Sequence, residues 1–164
     1  MPDISVTFRS VGHAEDLARL EAALRALSAD IAEEYATDSA ILAHAIQGAR
    51  PSAHGLLALT GDQTLGAALF SPLFSTVRGA AGVYVSDLWV SAAARGQGLG
   101  ARLLAQVARD GAARWQASWL KLAVYDHSED AQAFYQRLGF EPARGMQEMR
   151  LGPQAVDALL KRTA

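Results

Sequence analysis

Cysteine is absent from the 164 residues, and that absence removes disulfide frameworks, thiolate zinc sites and cysteine nucleophiles together. Lysine is confined to Lys121 and Lys161, and the net charge is −2 with an isoelectric point near 6.1. The basic excess with which a protein neutralises phosphates is missing, so no nucleic-acid partner is expected. No apolar run approaches the roughly 20 residues that span a bilayer. The opening MPDISVTFRS has no basic segment followed by an apolar stretch, so neither a secretory leader nor a membrane partner is expected. The four histidines, His13, His44, His54 and His127, have no metal-ligand spacing, and no metal is expected. What is present suits a folded domain: 51% hydrophobic and 20% charged residues. One cytoplasmic domain over residues 1–164 is expected.

Residues 3–9 alternate well enough for an opening strand. Leu17, Leu20, Leu24 and Leu27 fall at helical spacing, with Glu15 and Asp16 where the helix dipole favours acids. A second helix is predicted over 39–47, capped by Thr37 or Asp38 and stopped by Gly48. Residues 55–70 hold two apolar runs around Gly61-Asp62, a hairpin signal. Residues 72–79 read as a long connection, 81–90 as a strand, 99–114 as a helix and 118–125 as a strand. Ser128 is placed to cap a helix ending at Leu138, with Gly139 as its left-handed stop. Short strands are predicted at 140–142 and 146–151, and Pro153 opens a last helix. Hairpins first and β–helix–β units later make a mixed α/β (α+β) domain.

The richest stretch is Arg95-Gly96-Gln97-Gly98-Leu99-Gly100, between a strand and a helix. Its glycines let a ligand approach amide N–H groups, and the helix start adds unpaired donors at a positive dipole end. Together with Ala101 these make a phosphate cradle, to which Arg95 can add a charge-assisted bond. A P-loop is excluded because Ala101 and Arg102, not Lys and Ser/Thr, follow Gly100. A dinucleotide fingerprint matches formally through Gly96, Gly98 and Ala101, with Asp126 as a ribose acid. Against it, Ser-Ala-Ala-Ala-Arg separates the strand from the glycines, and Gly100 answers no need of that fingerprint. Only 38 of the 164 residues follow Asp126, too few for the rest of a doubly wound sheet.

Arg95–Gly100 resembles the Arg/Gln-x-x-Gly-x-Gly/Ala loop of the GNAT superfamily of acetyl-coenzyme A-dependent N-acetyltransferases. SEDAQAFYQRLGF, residues 128–140, is similar to that family's Asn-x-x-Ala-x-x-Phe-Tyr-x-x-x-Gly-Phe segment, with Ala131, Phe134, Tyr135, Gly139 and Phe140 in register. VSDLWV, residues 85–90, is similar to the Glu-Asp-Leu/Phe-x-Val of the diamine and polyamine branch. There are two departures: Ser128 stands where asparagine is usual, and Ser86 where the polyamine branch has glutamate.

The resemblance implies a GNAT fold with a mixed, mostly antiparallel twisted sheet of about seven strands flanked by helices. It implies acetyl-coenzyme A as cosubstrate and a small-molecule amine as acceptor, joined by direct attack in a ternary complex. The backbone of Leu88, Trp89 and Val90 would pair with the pantetheine arm. Arg95, Gly96, Gln97, Gly98, Leu99, Gly100 and Ala101 would hold the pyrophosphate, and Ser128, Ala131 and Phe134 would complete the cofactor site. The matching tyrosine, Tyr135, would protonate the departing thiolate. Asp87, a carboxylate in an apolar strand, is the candidate for taking the acceptor's proton, and Ser86 could position a water. Glu33, Glu34 and Tyr35 would meet the acceptor, and with Asp30 and Asp38 they form an acidic group that attracts a cation. A homodimer is expected. Two other readings stay open: a non-catalytic acyl-coenzyme A sensor, and an acetyltransferase of protein N-termini.

Overall fold

The computed structural model describes residues 5–163. Its elements run β1 (Thr7–Ser10), α1 (Ala14–Asp30), α2 (Ser39–Gln47), β2 (His54–Thr60), β3 (Gln63–Ser75), β4 (Ala80–Val90), α3 (Leu99–Trp115), β5 (Leu120–Leu122), α4 (Glu129–Arg137) and α5 (Pro153–Leu160). They fall into two compact units, one ending at Tyr125 and one beginning at Asp126.

In the first unit the strands lie in chain order, β1 to β5. The first four are antiparallel and β5 joins β4 in parallel, so the sheet is mixed and mostly antiparallel. Turn chemistry fixes the β2–β3 hairpin: Gly61, at φ 53°, opens the two-residue Gly61-Asp62 link. One face is covered by α1 and α2, where Leu20, Leu24, Leu42, Ile46, Leu57 and Leu59 are buried together. The other is covered by α3, whose Leu99, Leu103, Leu104 and Val107 are buried at helical spacing. Asp38 caps α2, its carboxylate accepting from the Ala40 N–H at 2.7 Å.

The sheet has five strands among the described residues, not seven. Residues 140–142 and 146–151 form no strand, since a strand needs a partner ladder and a local sequence pattern supplies none. The strand expected over 118–125 shrinks to Leu120–Leu122, because β4 bulges just past Val85, the last residue paired with β5. In contrast, β3 is longer than expected and runs through Pro72, which pairs with Val83. Pairing with β2 stops at Phe70, so Pro72 sits where β3 has become an edge and a missing N–H is tolerated. Of the opening strand expected over 3–9, residues 3 and 4 lie outside the described residues.

In the second unit α4 is followed by Gly139 at φ 91°, the left-handed stop its position called for. Ser128 occupies the N-cap position, but its side chain makes no capping bond; only its carbonyl accepts, from the Gln132 N–H at 3.0 Å. Pro153 opens α5 as expected.

Candidate functional site

A single extra residue shapes the end of β4. Leu69 pairs with Asp87 and Phe70 with Val85, which leaves Ser86 as a β-bulge. Strict alternation would put residues 83, 85, 87 and 89 on one face. Val83 packs against Gly111 of α3, whereas Trp89 packs with the α1–α2 cluster, so the bulge turns Asp87 and Trp89 to the opposite face. Ser86 is exposed, and its hydroxyl donates to the Leu69 carbonyl at 3.2 Å.

The bulge also opens the sheet. On one side β4 pairs with β3 through Val90; on the other it pairs with β5 only through Val85. From Leu88 to Val90 no strand among the described residues occupies the β5 side. The Ser91 N–H is turned toward β3, donating to the Leu65 carbonyl at 2.8 Å, so alternation turns the peptide groups of Leu88 and Val90 to the open side. There the Val90 carbonyl accepts from Arg95 Nε at 2.9 Å.

Beyond this edge the chain makes a short 3₁₀ turn, Ala92–Ala94, and enters the glycine loop. Gly96 and Gly98 have φ of 74° and 75°, a left-handed backbone that side chains with a Cβ rarely adopt. A Cβ added to either would meet nothing within 4 Å, so these glycines leave open space over the loop. Gly98 is the N-cap of α3, and the N–H groups of Leu99, Gly100 and Ala101 lie in the first turn, where a helix has no internal acceptors. Leu99 is buried and anchors the turn; Gln97 donates back to the Ala93 carbonyl at 2.8 Å. The open strand edge and the glycine cradle fit an extended chain that ends in phosphates.

Asp87 is half-buried and has no arginine partner among the described residues. Burial pushes its carboxyl above the ordinary aspartate range, partly offset by the Ser86 hydroxyl beside it. Tyr35 lies half-buried against the same cluster as Trp89, with the Arg25 guanidinium 4.3 Å from its ring centre. Its hydroxyl is buried. Burial raises the phenol's pKa, and the negative charges of Glu21 and Asp87 add to the rise. The acidic group divides: Asp38 caps α2, Asp30 binds Trp89 and Arg95, and Glu33 and Glu34 remain exposed.

In the second unit, Ala131, Phe134 and Tyr135 are the half-buried residues of α4 among those singled out, with Ser128 just before it. Tyr135 is flanked by Phe134, ring centres 5.1 Å apart, and Phe140, at 5.5 Å. Burial raises the Tyr135 phenol above its ordinary value of 10, so it keeps its proton throughout the neutral range. Among the described residues no group of three or more His, Cys, Asp or Glu could hold a metal ion, and no helix is long and apolar enough to cross a membrane.

The model of the acetyltransferase (GNAT) family matches residues 13–140, more than three quarters of the chain. The chain belongs to that family and is an acetyl-coenzyme A-dependent N-acetyltransferase. Among solved structures, it is similar to an integron cassette protein from the mobile metagenome of V. cholerae, with 22% identity, 96% and 98% of the two chains covered and a TM-score of 0.74. It is also similar to an aminoglycoside acetyltransferase from an uncultured soil metagenomic sample, at 17% identity, 92% and 99% coverage and a TM-score of 0.74. The ribosomal-protein-alanine N-acetyltransferase of Brucella melitensis biovar Abortus 2308 aligns at 21% identity, 90% and 100% coverage and a TM-score of 0.68. The comparison with curated proteins finds no match.

Sequence reasoning missed the bulge at Ser86 and the bonds of Asp30. The extra serine in VSDLWV, where a regular strand would alternate, is the trace the bulge leaves in the sequence. Asp30 leaves none, because its partners lie 59 and 65 residues away.

Proposed function

We propose that this enzyme acetylates a small cationic amine of the aminoglycoside kind by direct transfer in a ternary complex. The observation that carries the reading is Asp87: a half-buried carboxylate with no arginine partner among the described residues, one residue before the open edge of β4. A buried carboxylate without a counter-charge is expensive, and an ammonium group arriving beside it supplies the missing charge. The exposed Glu33 and Glu34, beside Tyr35 on the α1–α2 connection, favour a cationic acceptor over a neutral one. A polyamine acceptor fits less well, because Ser86 supplies no second carboxylate. The structural likeness to an aminoglycoside acetyltransferase supports the choice.

Acetyl-coenzyme A supplies an activated acetyl thioester. The open edge at Leu88–Val90 holds its extended arm, and a peptide N–H of that edge polarises the thioester carbonyl. The amides of Gly96–Ala101 hold the pyrophosphate. Asp87 takes a proton from the acceptor ammonium, directly or through a water beside Ser86. The freed nitrogen lone pair forms the N–C bond as the C–S bond breaks; Tyr135, the tyrosine that the family motif assigns to the thiolate, gives its hydroxyl proton to the sulfur, and the second proton released by the nitrogen passes through water to the phenolate, which restores the hydroxyl. The enzyme acts in the cytoplasm as a homodimer.

Free-thiol release over a panel of amines tests this reading. Aminoglycosides are expected to turn over at least about tenfold faster in kcat/KM than peptides with a free N-terminus, a difference of about 1.4 kcal/mol. Faster turnover of peptides would overturn the acceptor assignment, and binding of acetyl-coenzyme A without turnover of any amine would leave a sensor.

Asp87→Asn separates chemistry from stability. Turnover at neutral pH is expected to fall by about 10²-fold and to recover partly at high pH, where more of the acceptor is already neutral. Stability should move the other way. The folded state holds the Asp87 proton more tightly than the unfolded chain does. That contribution is fully present below the unfolded pKa and is lost as pH rises through the raised folded value. At pH 7 the asparagine variant should therefore melt higher than the parent, and the gain should vanish in acid. A thermal scan at the two pH values checks the sign.

A further inference from the structure

One carboxylate ties the end of α1 to the end of β4 and to the residue that opens the glycine loop. Asp30, the last residue of α1, accepts two bonds on the same oxygen, Oδ2. One comes from Trp89 Nε1 at 3.2 Å and the other from Arg95 Nη2 at 2.5 Å. The Arg95 Nε in turn donates to the Val90 carbonyl. The guanidinium is planar, so bonds from Nε and Nη2 to two fixed acceptors set its position and its plane. Arg95 stands immediately before Gly96, whose left-handed backbone needs its entry direction defined. The charge of Arg95 is also matched at contact distance by Asp30, so it is not a free cation waiting for phosphate.

We propose that Asp30 is a positioning residue for coenzyme A, and that Arg95 serves mainly as the tie rather than as a direct phosphate ligand. Through Trp89 and Arg95 it holds the last residues of β4 and the start of the Gly96–Ala101 loop in the shape the cofactor needs. The tie fixes which groups of the edge remain for a ligand: the Val90 carbonyl is taken by Arg95, and the Val90 N–H and the Leu88 peptide groups stay open. It also joins the helix leading into the acceptor-side segment, residues 31–38, to the cofactor loop. The inference rests on the cofactor reading above.

Charge and tie predict opposite signs, and that makes the test sharp. Removing a negative charge beside a phosphate site should tighten an anionic ligand by electrostatics alone. If Asp30 is a positioning residue, Asp30→Asn instead weakens coenzyme A binding by about tenfold, the effect of one charge-assisted hydrogen bond. Calorimetric titration with coenzyme A reads this without turnover. The KM for acetyl-coenzyme A should rise by a larger factor than kcat falls. Trp89→Phe, which removes the indole N–H together with part of the ring packed on the α1–α2 cluster, should weaken binding at least about threefold. The double variant Asp30→Asn with Arg95→Gln should lose less than the product of the two single losses, because the Asp30–Arg95 bond is common to both. Unchanged or tighter binding by Asp30→Asn, or additive losses in the double variant, would overturn the proposal. Wild-type protein that fails to bind coenzyme A would sink the cofactor reading and this proposal with it. Wild-type binding with an unaffected Asp30→Asn would sink this proposal alone.

Discussion

Tyr135→Phe is expected to lower kcat by at least roughly tenfold while leaving the KM for acetyl-coenzyme A nearly unchanged. The substitution removes one oxygen and keeps the ring, so the contacts with Phe134 and Phe140 survive. What is lost is a proton needed only as the sulfur gains charge, an interaction made in the transition state and not in the ground state. General acid catalysis contributes about 10²–10⁴-fold, and partial replacement by water sets the lower bound. Burial raises the phenol's pKa, so any alkaline loss of activity due to Tyr135 should fall above the ordinary phenol range. Unlike Asp87→Asn, this variant should gain nothing at high pH. Full turnover by Tyr135→Phe, with chemistry shown to be rate-limiting, would reduce the tyrosine to packing.

The second large effect is expected at Gly98→Val. At φ 75° a β-branched residue is strained by about 1–3 kcal/mol, so the melting temperature should drop by several degrees, at about 2–4 °C per kcal/mol. The space around the missing Cβ holds no protein atom within 4 Å, so the fold itself can admit the side chain. A ligand whose phosphates meet this backbone cannot. Coenzyme A affinity should fall by at least about 100-fold, the equivalent of losing two charge-assisted hydrogen bonds. A folded variant that binds coenzyme A as tightly as the parent would show the loop to be a turn and nothing more.

The glycine loop was legible in the sequence because its requirement is local. Left-handed backbone at Gly96 and Gly98 asks for glycine whatever surrounds it. The same holds for the Gly61-Asp62 hairpin, the Asp38 cap and the Gly139 stop. The leucine periodicities of α1 and α3 were equally clear, since each helix buries one stripe. Pairing was not legible. Residues 146–151 read as a short strand, yet no ladder among the described residues receives them. Residues 118–125 also read as a strand, but the bulge at Ser86 limits the parallel ladder to three residue pairs. The use of Arg95 is the clearest case at the site. Its motif position suggested a phosphate ligand, while its guanidinium is held by a carboxylate 65 residues earlier in the chain. No periodicity or spacing carries that information.

The central claim is that the open edge of β4 and the glycine loop together form a coenzyme A site, and ligand-dependent thermal stability tests it most directly. A ligand that binds only the folded state at 100 times its Kd adds about 2.7 kcal/mol, or roughly 5–10 °C for a chain of this size. Coenzyme A and acetyl-coenzyme A are predicted to produce that shift, and NAD and NADP at the same concentration to produce almost none. A larger shift with NAD than with coenzyme A would contradict the account.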